Sequence, residues 1–454
     1  MLTAAEIRLA RLVAGLSRRV GAGAGMTVPG KLLSKLDPGV IDRLAARLPA
    51  GVAAISATNG KTTTAAMAAE ILRPRFRLAH NHSGANLVSG VASTLLAAGN
   101  AELGLLEVDE GALPEVLRRV RPRAVCLGNL FRDQLDRYGE LEIVADRWRE
   151  AVGRLPKETV LVVNGDDPQV GSLAEQHEKS IVFGLDDPRL SRPSLQHAAD
   201  SKYCVRCGTP YDYRAIYVGH LGDYHCPNCG HARPALDVAA RSIELHGLER
   251  AAFDLVTRAG TQHVELGLPG LYNVYNAVGA ATLAQALGAS LEDIAQGLAR
   301  FSAAFGRFER IPVGDKQLLL LLIKNPAGAN EVVRTLLDGG PPRIAVVALN
   351  DAIADGRDVS WIWDVDFEPL LEGLATVVAT GERAAELALR FKYGGLEESR
   401  IVVEPSLEAA IDRGLSLTPD PGELVVLPTY TAMLALQRLV AERGLAKPYW
   451  ERAA

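Results

Sequence analysis

The chain has 454 residues, 48% of them hydrophobic and 23% charged, which is globular composition with room for two to four domains. That apolar content excludes disorder as the dominant state, and a net charge of −5 gives no general basic field to recruit nucleic acid. The longest apolar run, Leu318 to Ile323, is strand-sized and falls far short of the roughly 18–20 residues of a membrane span.

Residues 2–20 read as an amphipathic helix with Leu9, Leu12, Val13 and Leu16 on one face. It either packs on the main domain or, with Arg8, Arg11, Arg18 and Arg19, touches a membrane surface weakly. Glu6, Arg8 and Arg11 interrupt any apolar core of a signal peptide, so a cytosolic protein is expected, one able to sit peripherally at the inner membrane face.

From residue 52 the texture becomes β-α-β. Val52–Ser56, Leu103–Val108, Ala124–Gly128 and Thr159–Asn164 read as strands. Thr62–Leu72 reads as a helix, and Pro114–Val120 as another with proline in its first turn. Strands alternating with helices predict a parallel sheet covered on both faces. Residues 200–232, rich in Cys, Gly, Pro, Tyr and His, break the rhythm as an insertion. Residues 264–305 return to helix, and Arg307–Pro312 reads as a hinge. Ile344–Leu349, Ala375–Thr380, Ile401–Val403 and Leu424–Leu427 then read as strands of a second, smaller α/β domain.

Ser56-Ala57-Thr58-Asn59-Gly60-Lys61-Thr62-Thr63 lies between a predicted strand and a predicted helix. In that context Gly-Lys-Thr is a phosphate-binding signal. Gly60 lets backbone approach phosphate, and the helix N-terminus offers free N–H groups and a positive dipole end. Lys61 would reach the terminal phosphates, and the Thr62 hydroxyl would bind Mg²⁺. The acidic cluster Glu107-Val108-Asp109-Glu110 ends the next strand and suits a second Mg²⁺ ligand, Glu107 first and Glu110 second. A solvated acidic loop is the plainer alternative.

Five cysteines are too few for a disulfide scaffold. Four form Cys204-x-x-Cys207 and Cys226-x-x-Cys229, each pair followed by a glycine that allows a tight turn. This spacing predicts a structural Zn²⁺ held by four thiolates, with no open position for catalysis. His220, His225 and His231 are then surface or supporting residues and not ligands. The insertion is only modestly basic, so nucleic acid is not an expected partner. Cys126 reads as a small buried hydrophobe in a strand.

The phosphate string resembles the G-T-N-G-K-T variant of the Mur ligase and folylpolyglutamate synthase superfamily, with Ala57 in place of its first glycine. The run Asn129 to Glu140 resembles that superfamily's N-x-x-x-D-H-x-D-x-x-G, with Gln134 for His, and implies Asp133 and Asp136 as weaker site residues. Gly270-Leu271-Tyr272-Asn273-Val274-Tyr275-Asn276 resembles its G-x-H/Y-N-x-x-N, implying that Asn273 and Asn276 hold the nucleotide or order the site. Arg307 matches a hinge arginine that reaches the phosphates, and Glu107 a metal-binding glutamate. ATP binding is thus expected at Thr58, Asn59, Gly60, Lys61, Thr62, Thr63, Asn273, Asn276 and Arg307.

With the ribbon insertion and the strings Asn325-Pro326-Ala327-Gly328-Ala329-Asn330, Leu349-Asn350-Asp351 and Ala354-Asp355-Gly356-Arg357-Asp358-Val359-Ser360-Trp361, the whole chain closely resembles the MurT family. These are synthetase subunits of lipid II isoglutaminyl synthases. The resemblance implies a Mur ligase-like central ATPase domain over residues 1–305, with the zinc ribbon at 200–232. It also implies a C-terminal domain over 306–454 that contacts the partner. ATP and Mg²⁺ are the implied cofactors. The implied reaction amidates the α-carboxylate of D-glutamate in lipid II at the cytoplasmic membrane face. Ammonia comes from a GatD-like class I glutamine amidotransferase, forming a heterodimer. Lys61 and Asp358 carry the implied catalytic roles, Asp358 by completing the partner's Cys-His pair, with Asp351 and Asp355 as fallbacks.

Ordinary Mur ligases carry a domain before the phosphate loop that grips the UDP end of a soluble precursor, and some 50 residues cannot build it, so if the chain is Mur-like a lipid-linked substrate is expected. Cys126 is the lone cysteine outside the pairs, so this chain shows no glutaminase nucleophile of its own. The main alternative is a stand-alone ligase adding an amino acid to a carboxylate. A nucleotide-regulated zinc scaffold or nucleic-acid-binding module is the other.

Overall fold

A computed structural model describes residues 28–81, 85–133, 139–196, 199–301, 307–340 and 343–447. The helix expected over residues 2–20 lies outside the described residues, as does Asp136.

The first sheet contains β1 (Val52–Ser56), β2 (Leu78–His80), β3 (Leu103–Glu107), β4 (Ala124–Leu127), β5 (Val160–Asn164) and β6 (Ser180–Leu185). It continues with β9 (Val238–His246), β10 (Arg250–Thr257) and β11 (Gly260–Leu266), after the separate hairpin β7 (Asp212–Val218) and β8 (Leu221–His225). The strand order is β11-β10-β9-β6-β5-β4-β1-β3-β2. From β2 to β9 the pairing is parallel, as expected. The β9-β10-β11 end is antiparallel, which the expectation of a purely parallel sheet missed. Its alanine-rich strands, with Ala239, Ala240, Ala251 and Ala252, have weak intrinsic strand preference and form through pairing on an existing sheet edge.

β1 is buried at all five positions because helices cover both faces. Ala53 and Ile55 face one apolar cluster with α1 (Lys61–Leu72) and α2 (Leu271–Ala286). Val52 and Ala54 face the other, with Leu106, Val116 and Trp148. Alternation along the strand sends successive residues to opposite faces. Residues 264–266, expected as helix, finish β11; helices follow at Leu271–Ala286 and Leu291–Arg300.

The second sheet has order β12-β13-β17-β14-β15-β16: β12 (Arg307–Val313), β13 (Lys316–Leu321), β14 (Ile344–Ala348), β15 (Thr376–Thr380), β16 (Ile401–Val403) and β17 (Gly422–Pro428). The expected hinge Arg307–Pro312 is thus an edge strand, antiparallel to β13, with Pro312 tolerated at that edge. The apolar cluster of the first sheet runs on into this one through Leu319, Leu321, Val347 and Phe367, so the two units share a core. No helix among the described residues is long and apolar enough to cross a membrane.

Candidate active site

Strand order reverses around β1, whose neighbours are β4 on one side and β3 on the other. The crevice beyond the carboxyl end of such a strand is where open α/β sheets bind ligands. Thr58 to Lys61 fill that position. Gly60 caps α1 at φ +84°, a backbone conformation that L side chains rarely adopt. A Cβ there would lie 1.9 Å from Asn276 Oδ1, so only glycine lets the loop lie against α2.

Lys61 is buried, and its Nζ donates to Glu110 Oε2 at 2.7 Å, to Ala57 O at 2.5 Å and to Thr58 O at 3.3 Å. Burial opposes the Lys61 charge, but Glu110, Asp109 and Glu107 outweigh it and hold the ammonium above its ordinary pKa. Burial likewise opposes ionisation of Glu110, and Lys61 with Lys324 overcomes it, holding that carboxyl below its usual range. The structure therefore places Glu110 against Lys61, not beside Thr62.

Glu107 takes the other position. Thr62 Oγ1 donates to Glu107 Oε1 at 3.1 Å, and Asn86 Nδ2 donates to the same oxygen at 3.1 Å. Asn81 grips the Glu107 backbone in both directions, Nδ2 to O at 2.7 Å and N to Oδ1 at 2.8 Å. Glu107 Oε2 is buried with no hydrogen-bond partner. An orphaned carboxylate oxygen beside a threonine hydroxyl is a hard-oxygen donor set that Mg²⁺ fits.

Asn129 opens the signature string and braces the loop: its Oδ1 accepts from Asn59 N at 2.9 Å, and its Nδ2 donates to Asn59 O at 3.1 Å. Thr58 is tied to Phe131, whose N donates to Thr58 Oγ1 at 3.1 Å. From the second sheet, α3 (Pro326–Asp338) presents its cap. Asn325 and Asn59 exchange side-chain hydrogen bonds of 3.0 and 3.3 Å, while Asn325 Oδ1 also accepts from Gly328 N at 2.9 Å. Lys324 Nζ donates to Thr58 O at 3.0 Å and to Asp133 Oδ2 at 2.5 Å. Asp133 thus pairs with a lysine, and its burial, only partly offset by Lys324, raises its pKa.

Asn273 and Asn276 share one face of α2, joined at 3.2 Å. Thr64 Oγ1 donates to Asn276 Oδ1 at 3.2 Å, so both amides are tied into the loop and helix. An open cleft runs between the units, lined by Asn59, Gly60, Asn129, Asn276, Phe308 and Lys324 among others. Arg307 opens β12, and its side chain lies outside the described residues. Asn86, Asn129, Lys324 and Asn325 were missing from the residues expected here. Asn129 and Asn325 had a signal, each heading a singled-out string, and Asn325-Pro326 is a cap-and-first-turn pair.

Asp358 is exposed on the loop after β14, and its Oδ1 accepts from Ser360 N at 2.9 Å. That hydrogen bonding from Ser360 holds its carboxyl below the usual range. The fallbacks are engaged: Asp351 Oδ2 accepts from Arg383 Nε at 2.9 Å, and buried Asp355 accepts from Thr431 N at 2.8 Å and Thr431 Oγ1 at 2.5 Å.

The sulfurs of Cys204, Cys207, Cys226 and Cys229 all lie within 4.8 Å of one another, with Cys204–Cys229 and Cys207–Cys226 at 3.5 Å. A zinc tetrahedron with bonds of about 2.3 Å has sulfur–sulfur edges of about 3.8 Å, so these four thiols could hold a metal of that kind. His231 Nδ1 bonds Tyr211 Oη at 2.7 Å, and that oxygen accepts from Val205 N at 3.0 Å, bracing the first knuckle. His220 is fully buried away from the sulfurs, at 3.4 Å from Asp167 Oδ2, so it is not a surface residue. Cys126 is buried in β4, and burial pushes its thiol up to about 12.

The Mur ligase middle domain family matches residues 55–233, and the MurT ligase C-terminal family matches residues 322–433. The chain is 33% identical to the lipid II isoglutaminyl synthase (glutamine-hydrolyzing) subunit MurT of Streptococcus pneumoniae, over 94% of each chain. It is 32% identical to the Staphylococcus aureus subunit of the same name, over 94% of this chain and 95% of that one. In fold it is similar to a pseudomurein peptide ligase type C from Methanothermus fervidus, with a TM-score of 0.67, 22% identity, and coverage of 86% of this chain and 78% of that one. A parallel-sheet ATPase core carrying a four-cysteine cluster, joined to this C-terminal unit and matched end to end, places the chain in the MurT family of Mur ligase-type, ATP-dependent ligases.

Proposed function

We propose that this chain is the synthetase subunit of a lipid II isoglutaminyl synthase, converting the α-carboxylate of D-glutamate in the stem peptide to an amide. The observation that carries this reading is the end-to-end match to MurT subunits, spanning both the phosphate-loop unit and the C-terminal unit.

The chemistry balances in two displacements. A carboxylate oxygen attacks the γ-phosphorus of ATP, the bond to the bridging oxygen breaks, and ADP leaves. Ammonia nitrogen then attacks the acyl carbon, the carbon–oxygen bond breaks, phosphate leaves, and nitrogen loses a proton. Mg²⁺, when bound, supplies positive charge at the phosphates. Thr62 and Glu107 are the residues that would hold it, and Glu107 is preferred over Glu110 because its carboxylate meets Thr62 through Oε1 and keeps Oε2 unpartnered. Lys61 offsets charge developing on the transferred phosphoryl group. Its ammonium must turn from Glu110 toward the nucleotide to do so. Thr58, Asn59, Gly60 and Thr63 shape the loop, and Asn273 and Asn276 fix its backing helix. Arg307 is proposed as the arginine that reaches the phosphates. The four cysteines are proposed to hold a structural Zn²⁺, with no catalytic part.

Ammonia is proposed to come from a GatD-like glutaminase subunit docked on residues 306–454, the unit we assign as the partner-facing domain; residues 1–305 form the nucleotide-binding one. Asp358 is the residue best able to orient a histidine on that partner, since it is exposed, its carboxyl is held below the usual range, and its hydrogen bond is to Ser360 N, two residues on. Ile353, five residues earlier in the chain, is 73% exposed, an apolar side chain available for burial. The protein would meet its lipid-linked substrate at the cytoplasmic membrane face.

The test is mass spectrometry of a lipid II analogue incubated with the chain, ATP, Mg²⁺ and an ammonium salt at alkaline pH. A carboxylate-to-carboxamide mass change, absent with Lys61→Ala, is expected. Product that forms only when an amino acid is added would replace this reading with a stand-alone ligase.

A further inference from the structure

The four-cysteine ribbon carries its metal-binding sulfurs at one end. Its inner end does more. β7 and β8 meet at the turn Val218-Gly219-His220-Leu221, at the opposite end of the hairpin from the cysteine-bearing segments. Val218 and Leu221 line the cleft that Gly60 and Asn276 also line. Both are almost fully buried, at 5% and 1% exposure.

The turn is fixed from three directions. Gly219 lies flat against Phe131, where a Cβ would come within 2.7 Å of the ring, and the His220 ring packs on Phe131 at a centroid distance of 4.5 Å. Phe131 in turn holds Thr58 of the phosphate loop: its N donates to the Thr58 hydroxyl, which donates to Phe131 O. From within the ribbon, Tyr213 Oη donates to His220 O at 3.0 Å. From the other unit, Arg334 on α3 donates to Tyr217 O at 3.0 Å, and Arg192 just upstream of the ribbon pairs with buried Glu331 at 3.2 Å.

The cleft is chemically mixed. Asn59, Gly60 and Thr63 of the phosphate loop and its helix line it, with the polar Asn129, Asn276, Lys324 and Glu331. Phe131, Val218, Leu221, Tyr272 and Phe308 add an apolar and aromatic share of the lining. A charged stem-peptide carboxylate gains nothing from such a wall. A flat heteroaromatic base does, by burying its faces.

We infer that the ribbon's inner turn is the wall against which the base of the nucleotide packs, so that the insertion is a nucleotide-positioning element built into the ATP site. This deepens the reading above and rests on it: the cleft must be the nucleotide site. Val218 and Leu221 supply the apolar surface. Gly219, His220 and Phe131 set its distance from the phosphate loop. The metal end anchors the hairpin that carries it.

The experiment compares ATP with inorganic tripolyphosphate, which has the phosphates and no base, on the full chain. Binding is measured by calorimetry, and turnover of a lipid II analogue with ammonium gives KM and kcat separately. Leu221→Ala is expected to raise both Kd and KM for ATP about tenfold, the scale of a trimmed apolar contact. The kcat should stay within about twofold and tripolyphosphate binding should be unchanged. Chelation that strips the ribbon metal, followed by return to excess Mg²⁺, should move ATP affinity the same way while sparing tripolyphosphate. A melting curve reports folding, and if Leu221→Ala does not fold, the smaller truncation Val218→Ala carries the same readout. A folded Leu221→Ala or Val218→Ala protein with wild-type ATP affinity would overturn the inference. If Lys61→Ala binds ATP and tripolyphosphate as wild type does, the nucleotide-site reading itself fails, which is a separate outcome.

Discussion

Lys61 and Glu110 form an ion pair of 2.7 Å with both side chains more than nine-tenths buried, and Trp148 Nε1 fixes the Glu110 backbone by donating to its carbonyl at 3.0 Å. Removing one member of such a pair strands the other charge in a poor solvent. Lys61→Ala should therefore abolish amidation and also cost about 3–5 kcal/mol of stability. The double variant Lys61→Ala/Glu110→Ala should recover much of that stability and none of the activity. Denaturant titration beside the mass-spectrometric assay checks both halves; a Lys61→Ala protein as stable as wild type would contradict the burial argument.

The same pair fixes a pH response. Glu110 has a depressed pKa, so its contribution is present above the unfolded carboxylate pKa of about 4.3 and is lost as pH falls through the lower folded value. Lys61 has a raised pKa, so its contribution is full below the unfolded value of about 10.4 and is lost as pH rises through the higher folded one. Between those limits the pair should not titrate. Differential melting of wild type and the double variant should be flat from about pH 6 to 9 and converge only toward the acid and alkaline ends.

Glu107→Gln keeps the hydrogen-bonding shape around Thr62 and Asn86 but removes the charge. The Mg²⁺ concentration for half-maximal rate should rise at least tenfold, with metal-free ATP binding little changed. An unchanged Mg²⁺ dependence would exclude Glu107 as a metal ligand and return attention to Glu110.

These site residues were unequally legible in the sequence. Lys61, Thr62 and Gly60 could be read because local geometry requires a strand, a glycine turn and a helix start in immediate succession. The four cysteines could be read because tetrahedral ligation demands close pairs. Asn86 and Lys324 could not, since each reaches the loop from a distant segment: Asn86 sits in no distinctive string, and Lys324, though next to Asn325-Pro326, finds Thr58 and Asp133 only in the fold. The strands β9 to β11 were hidden for a related reason: alanine-rich segments take strand geometry from their neighbours and not from their own composition. Arg307–Pro312 looked like a hinge because proline suggests a break, although an edge strand has room for it.

Asp358→Asn should separate the two nitrogen sources. With the glutaminase partner present, glutamine-dependent amidation should fall at least a hundredfold, since a neutral amide cannot stabilise an imidazolium. Ammonia-dependent amidation should stay at wild-type rate. Asp355→Asn should behave differently, lowering stability through its lost grip on Thr431. Equal losses with both nitrogen sources in Asp358→Asn would assign that residue to folding or to the synthetase reaction.

Gly60→Ala combines two penalties, a strained φ of +84° and a Cβ 1.9 Å from Asn276 Oδ1. Adding Asn276→Ala removes only the second. The single variant should lose ATP binding, and the double variant should regain stability without regaining affinity. Calorimetric titration with ATP distinguishes the two.

The paired amides of Asn59 and Asn325 join a phosphate loop from one sheet to a helix cap from the other. Swinging the units apart would break both hydrogen bonds together, along with the Lys324 contact to Thr58. A ligand in the loop whose affinity differs between the joined and the separated arrangement would therefore be coupled to the angle between the units. Linkage makes the effect mutual: a ligand that favours the joined arrangement tightens it, and anything that clasps the C-terminal unit in place tightens the ligand by the same factor.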